Sequence, residues 1–368
     1  MKERTGAFII MCISLTLLAF SMGFFDFSQF GKTDLKESTL GQETGEERGS
    51  EDVSKLFNPP SQENINNKGK ILFSANRGDT QKADYDLYSM NSDGSEKTRH
   101  TNEEKFINHP VWSPEYSRIA YSANAYDETG ENRDKIFIMT ADGSEKKQIT
   151  FGDSFDKFPT WSPDGKFIAY ISYREKIPNL FVVDIYGKNE RQLTFEEGKS
   201  TVLWPSWSPV GDVIAFSYNE EGEEKDFRLH EIRSDGSGRR EILSSNNPDL
   251  GDSEPGWSPD GKILYFLSNR SRHGEIWKLN YEKWKSFTTE GKKFDEKDIE
   301  LKQISNLYSR GIFPDHRPRV SPDGQKIVFY GVGSDWKTIG TNLYTCDIDG
   351  KNVKNITKSI DGNEWPDW

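Results

Sequence analysis

Short apolar runs alternate with polar turns along most of the chain, at a spacing that predicts many strands and little helix. Five runs, Ile119 to Tyr121, Phe167 to Ile171, Val213 to Phe216, Ile263 to Leu267 and Ile327 to Tyr330, each follow a Ser-Pro step. Asp164-Gly165, Asp260-Gly261 and Asp323-Gly324 stand between step and run, which suits a tight hairpin. Third strands are predicted at Leu87-Tyr88, Ile136 to Ile138, Leu180 to Val183, Ile276-Trp277 and Leu343-Tyr344, and brief fourth strands at Gln148 to Thr150, Gln192 to Thr194, Gln303 to Ser305 and Asn355 to Thr357.

One marker recurs ahead of these units. Pro-x-Trp-Ser-Pro occurs at Pro110 to Pro114, Pro159 to Pro163, Pro205 to Pro209 and Pro255 to Pro259. Pro318 to Pro322 carries Val320 in place of Trp, and Pro366-Asp367-Trp368 ends with the sequence. Successive Ser-Pro steps lie 49, 46, 50 and 63 residues apart, the size of a four-stranded propeller blade. The first unit, from Lys70, has no Pro-x-Trp strand before it, while Glu364 to Trp368 is such a strand with no unit after it. The expected fold is therefore all-β: a six-bladed propeller over 69–368, closed when the C-terminal strand pairs into the first blade and removes the open edges. Pro cannot donate to a ladder, so these prolines belong on the innermost strands, and Trp112, Trp161, Trp207, Trp257 and Trp368 are structural repeat residues filling space between blades.

Composition adjusts this picture in three ways. A net charge of −12 with both signs interspersed gives no basic patch for phosphate backbones, which argues against nucleic acid. Of the two cysteines, Cys12 lies in an apolar N-terminal run and Cys346 in a predicted strand, so no intramolecular disulfide framework is expected. The uncharged stretch Gly6 to Phe25 follows Lys2 and Arg4 and is long enough to span a bilayer. Residues 1–25 therefore read as a signal anchor, or as a signal peptide cleaved near Ala19-Phe20-Ser21, with the remainder outside. Met11 before Cys12 does not suit lipidation. Polar residues 26–68 read as a flexible tether, and membrane contact is expected through the N-terminal segment alone.

Trp-Ser-Pro-Asp-Gly-Lys running into an Ile-Ala-Tyr strand, as in Trp161 to Tyr170, resembles the repeat of the TolB-type six-bladed propellers, and the resemblance covers about 68–368. It implies a TolB-like protein lacking the α/β domain that precedes the propeller in TolB. It also implies a periplasmic or cell-surface scaffold that binds a protein or peptide partner in the cell envelope. The chain is expected to be a monomer with no cofactor. Related propellers belong to hydrolases and to oligogalacturonate lyases, so the alternative is a hydrolase or lyase acting on cell-surface polysaccharide or peptide. No Gly-x-Ser-x-Gly elbow occurs, and His100, His109, His230, His273 and His316 lack local metal spacing, so neither catalytic nor metal-binding residues are assigned. Asp-x-Asp-Gly at Asp347 to Gly350 reads as a hairpin rather than a calcium loop.

Loops joining fourth to first strands meet at one mouth of the channel, where function concentrates on such scaffolds. The candidate partner-binding residues there are His109, Asp156, Phe158, Trp204, Glu254, Asp315, His316, Arg317, Arg319, Glu364 and Trp365. Phe158, Trp204 and Trp365 precede strand prolines and would act as aromatic anchors. His316, Arg317 and Arg319 would form a basic spot for a carboxylate. The long interval after Ser258 places an extension at Tyr281 to Glu300, whose packing the sequence leaves open.

Overall fold

The Ser-Pro steps each form a turn in which one hydroxyl organises the hairpin. Ser162 Oγ donates to Asp164 and accepts from the Phe167 amide, and Ser258 with Asp260 and Ser321 with Asp323 repeat the arrangement. These are Asx-type turns, which is why Asp recurs two residues after Ser. The computed structural model describes residues 67–76, 85–102, 106–126, 130–221, 227–243, 250–333, 341–358 and 362–368. The N-terminal hydrophobic segment and nearly all of the expected tether lie outside the described residues, as do Arg77 and Asp361. Among the described residues no helix is long and apolar enough to cross a membrane.

The strands form six four-stranded antiparallel sheets, five of them joined in sequence order. Blades 2 to 6 begin with innermost strands Ile107–Trp112, Asp156–Trp161, Thr201–Trp207, Asp252–Trp257 and Ile312–Val320. Blade 1 takes its innermost strand, Asn363–Asp367, from the C-terminus, paired antiparallel with Ile71–Asn76. Each innermost strand contacts the next, and the ring closes from blade 6 to blade 1. The six-bladed propeller closed by the C-terminal strand is thus the observed architecture.

Outermost strands are only two residues long, such as Lys147–Gln148 and Arg191–Gln192, yet they are latched. The hydroxyls of Thr101, Thr150, Thr194, Ser305 and Thr357 accept from third-strand amides of Leu87, Ile136, Leu180, Ile276 and Leu343. Four also donate to a third-strand side chain: Asp86, Asn179, Glu275 or Asn342. A strand too short to hold by ladder bonds alone is therefore fixed by a buried hydroxyl. That explains the Gln-Ile-Thr pattern of the sequence.

Apolar clusters fill the spaces between blades, for example Val111, Ala120 and Ile138 against Trp161, Tyr170 and Phe181. Two reciprocal buried ion pairs add to the same seam: Lys135 with Asp156 at 3.2 Å and Lys157 with Asp134 at 3.0 Å. The extension between the third and fourth strands of blade 5 forms the helix Tyr281–Thr289, capped by the Asn280 side chain. Trp284 and Tyr281 bury against Leu264 and Leu279 of blade 5 and Leu229 of blade 4, so the extension lies on its own and the preceding blade. Arg240 stacks 4.5 Å over the Trp284 ring. Burial pushes the Cys346 thiol up to about 12, so it packs as an inert apolar side chain.

Two tests follow from this architecture. A chain ending at Ile360 leaves blade 1 without its inner strand and takes the buried rings of Trp365 and Trp368 out of the core. It is expected to lose the cooperative thermal transition and to elute as aggregate; a melt matching the full chain would refute closure as the source of stability.

The second test concerns pH. His230 lies between the rings of Phe216 and Tyr218, and burial, with Arg239 and Arg228 beside it, pushes its imidazole down to about 4. As pH falls below the ordinary value of about 6.5, the unfolded chain takes up a proton that the folded one refuses. Stability should decline between about pH 6.5 and 4, by at most about 3 kcal/mol from this group. Urea melts of His230→Phe should be flatter over that window than those of the parent chain, and parallel curves would exclude the assignment.

Candidate binding site on the propeller axis

A single backbone device repeats on the innermost strands. The residue before each strand proline has positive φ: His109 at 50°, Phe158 at 57°, Trp204 at 51°, Glu254 at 58°, Arg317 at 55° and Trp365 at 54°. Pairing register slips at the same place in every blade, so each is a β-bulge, and the following proline removes the donor that the bulge would strand. Bulky residues rarely hold this conformation, which costs about 1–3 kcal/mol each.

The bulges turn all six side chains onto the axis, where they pack into a layer across it. His109 lies 4.2 Å from Phe158 and 4.1 Å from Trp365 between ring centroids, and Phe158 packs against Trp204 and Trp365. The Arg317 guanidinium lies 5.3 Å from the Trp365 ring and 5.7 Å from Phe158. The Glu254 carboxylate accepts the Arg317 amide at 2.8 Å. All six residues are 0–5% exposed.

This placement corrects the expectation that they form an exposed binding rim. Phe158, Trp204 and Trp365 are plug residues instead of surface anchors, because the bulge points them inward. Asp156 is buried in its ion pair with Lys135. Half-buried Glu364 accepts from Tyr85 and Thr341 hydroxyls across the blade 1 and blade 6 seam. The side chains of Asp315 and His316 lie outside the described residues.

Beyond the plug, at the Ser-Pro end of the channel, a funnel opens with a volume of about 370 Å³. Trp112, Trp161, Trp207, Trp257 and Trp368 wall it, each mostly buried. Their indoles tie the blades together: Trp161 Nε1 donates to the Val111 carbonyl at 3.3 Å and Trp257 Nε1 to Ser206 at 3.0 Å, both in the preceding blade. Trp112 Nε1 reaches the Lys70 carbonyl at 3.1 Å, and Trp368 Nε1 that of Gly69 at 2.9 Å. Trp207 Nε1 is buried without a hydrogen-bond partner, and all five indoles also line the funnel.

The residue between Pro and Trp varies from blade to blade: Val111, Thr160, Ser206, Gly256, Arg319 and Asp367. Arg319 Nε pairs with Asp367 at 3.5 Å, and its Nη1 donates to the Pro255 carbonyl at 3.0 Å. The guanidinium thus crosses from blade 5 to blade 1. Gly256 permits this, since a Cβ there would come within 2.2 Å of the Pro318 carbonyl and 3.0 Å of the guanidinium. Asp367 also accepts the Trp112 amide at 2.8 Å. Burial raises its carboxyl, and Arg319 draws it back down. Arg317 and Arg319, expected in one basic spot, share an electrostatic neighbourhood but face different surroundings: one sits in the plug, the other on the funnel wall.

The TolB β-propeller domain model matches residues 123–304. Among solved structures, TolB from Acinetobacter baumannii superimposes with a TM-score of 0.62 at 16% identity, covering 82% of this chain and 66% of that one. This chain is a TolB-like β-propeller. A putative TolB from Agrobacterium tumefaciens gives 0.56 at 17% identity, covering 78% and 87% of the two chains. An oligogalacturonate lyase in complex with manganese gives 0.52 at 15% identity, covering 78% and 73%. At such identities these structures speak for the fold. In this TolB-like chain no three His, Cys, Asp or Glu side chains gather as a metal would require, among the described residues.

The funnel was missed in the sequence because strand alternation places the pre-proline residue and the residue after proline on the same side of the sheet. The bulge between them breaks that rule. The available signal was the position between Pro and Trp, which differs in every copy of an otherwise repeated motif.

The pair on the funnel wall gives a test. Asp367→Asn leaves Arg319 mostly buried beside a neutral group and should cost about 3–5 kcal/mol, while Arg319→Met with Asp367→Asn should recover a large part of that loss. Chemical denaturation of these two variants and of Arg319→Met alone reads the cycle, and strictly additive losses would show that the two charges do not depend on each other.

Proposed function

We propose that this TolB-like propeller is an extracytoplasmic scaffold that captures a protein or peptide partner in the funnel at the Ser-Pro end of its axis. The observation that carries the reading is the funnel itself: indoles from five blades around about 370 Å³, with one arginine on the wall. Aromatic walls with an arginine have the composition of interface hot spots. Among the residues lining it, Asp367 is the one carboxylate, and it is engaged by Arg319 and by the Trp112 amide. That arrangement suits capture better than acid–base chemistry, which needs a titrating group free to exchange a proton. The fold shared with TolB structures supports a binding role. The apolar segment after Lys2 and Arg4 supports a site of action in the cell envelope.

Ser206 offers a probe because it lines the funnel at the place in the repeat that Arg319 holds in blade 6. Ser206→Arg should fill the funnel. Affinity capture from envelope extracts with residues 68–368 is expected to retain a partner that the Ser206→Arg protein loses, at an unchanged melting temperature. Recovery of the same partner by both proteins would move the site away from the funnel.

A further inference from the structure

The described chain begins at the mouth of the funnel. Asn67 Nδ2 donates to the Tyr116 carbonyl at 3.4 Å, exposed Lys68 lines the funnel, and the Gly69 carbonyl accepts from the Trp368 indole. Residues 1–66 lie outside the described residues, and the sequence just before Asn67 is thus covalently joined to the propeller beside this opening.

That sequence contains a block unlike its surroundings. Charged residues are frequent from Lys32 to Lys55, whereas Leu56-Phe57-Asn58-Pro59-Pro60-Ser61-Gln62 carries no charge. Pro59 and Pro60 are the only prolines before Asn67. A Pro-Pro step favours the extended polyproline conformation, has no amide hydrogen to satisfy and turns its carbonyls outward. Surfaces that recognise such a step offer aromatic rings with hydrogen-bond donors among them.

The funnel is a surface of that kind. Its indoles and the Tyr116 ring supply the aromatic wall, and Thr160 and Ser206 bring hydroxyls to it. Trp207, 8% exposed, keeps an Nε1 donor with no hydrogen-bond partner. The volume of about 370 Å³ stands near the low end of ligand sites, so it admits a few residues of an extended peptide and no folded domain.

We infer that Phe57-Asn58-Pro59-Pro60 docks in the funnel of its own chain and has to leave before a partner enters. Pro60 precedes Lys68 by eight residues, a link of at most about 29 Å when fully extended and about 16 Å on root-mean-square average. At that spacing the effective concentration of the segment is on the order of 1 mM, so an intrinsic dissociation constant of about 0.1 mM keeps the funnel filled about nine-tenths of the time. Docking stands on the chemistry of wall and segment, while the autoinhibition it produces rests on the funnel being the place of capture.

The test compares the full chain in detergent with the same chain carrying Phe57→Ala, Pro59→Ala and Pro60→Ala together, three positions outside the propeller repeat. A synthetic peptide of residues 54–64 is titrated into each and followed by tryptophan emission. The peptide adds nothing to that signal, because the first tryptophan of the chain is Trp112. The substituted chain should bind the peptide at least about tenfold more tightly than the parent, whose own copy competes. Adding Ser206→Arg to the substituted chain should abolish binding. Equal affinities for the two chains would overturn self-docking while leaving capture in the funnel intact, and absence of binding to the substituted chain overturns the inference as well. If the parent's weaker binding disappears on dilution, the segment reaches a second copy, and docking within one chain is wrong. In capture from envelope extracts, the substituted chain should retain more partner than the parent, and free peptide should release it. Should the peptide titrations hold while partner is retained equally and the peptide releases none, the segment docks but the funnel is not the place of capture, which overturns the autoinhibition. Where Ser206→Arg does not fold, the peptide with 4-bromophenylalanine at position 57 is soaked into crystals of the substituted chain and located by bromine anomalous scattering. Bromine among the funnel indoles supports the docking, and bromine only elsewhere refutes it.

Discussion

Six side chains held on the axis by left-handed backbone are the constraint on which the ring depends. His109, Phe158, Trp204, Glu254, Arg317 and Trp365 each occupy a conformation that bulky residues avoid. The strain persists because each bulge is fixed from both sides: proline follows it, and the neighbouring side chains close over it. Without the layer the innermost strands would border an open channel and lose the packing that holds them in register. The bulge also sets what lies on either side. It turns one residue into the plug and the residue two further on into the funnel wall, so the plug and the funnel are two outcomes of one backbone event.

Closure imposes a second requirement, since a ring made of covalently linked blades has one seam without a continuous chain across it. Asp367 stands at that seam. It accepts the Trp112 amide from blade 2 and pairs with Arg319 from blade 6, while its own strand belongs to blade 1. Three blades are thereby tied through one carboxylate. The adjacent Trp368 indole anchors to the Gly69 carbonyl, and Glu364 receives hydroxyls from Tyr85 and Thr341. A strand of five residues is secured at both ends by side-chain bonds as well as by its ladder.

The fold was legible in the sequence because its determinants are local and repeated: Ser-Pro-Asp-Gly turns, alternating apolar runs and a marker at blade spacing. The unmatched sequences at Lys70 and Glu364 disclosed the closure, since each supplied the strand the other lacked. The site was less legible. Phe158, Trp204 and Trp365 are adjacent to a strand proline in sequence and near a loop, which placed them on the rim. Their burial follows from a positive φ that no residue type here announces, as none of the six is glycine or asparagine. The ion pairs of Asp134 and Lys135 with Lys157 and Asp156 were invisible for another reason: both signs sit side by side on each strand, so either register satisfies the charges. The helix Tyr281–Thr289 buries Trp284 against two blades, and a segment rich in lysine and glutamate concealed that single apolar contact face.

A repeated structure can recognise something asymmetric only where the repeat is broken, and on this axis the breaks fall together. Blade 6 carries Val320 where the other blades carry tryptophan. Blade 5 carries Gly256 where other blades have a side chain, and the Arg319 guanidinium occupies that room. Blade 1 supplies Asp367 from the opposite end of the chain. These three neighbours make one side of the funnel charged, while blades 2 to 4 present Val111, Thr160, Ser206 and three indoles. On the proposed reading, a molecule that enters the funnel meets an apolar half and an ionic half, and satisfies both only in one orientation.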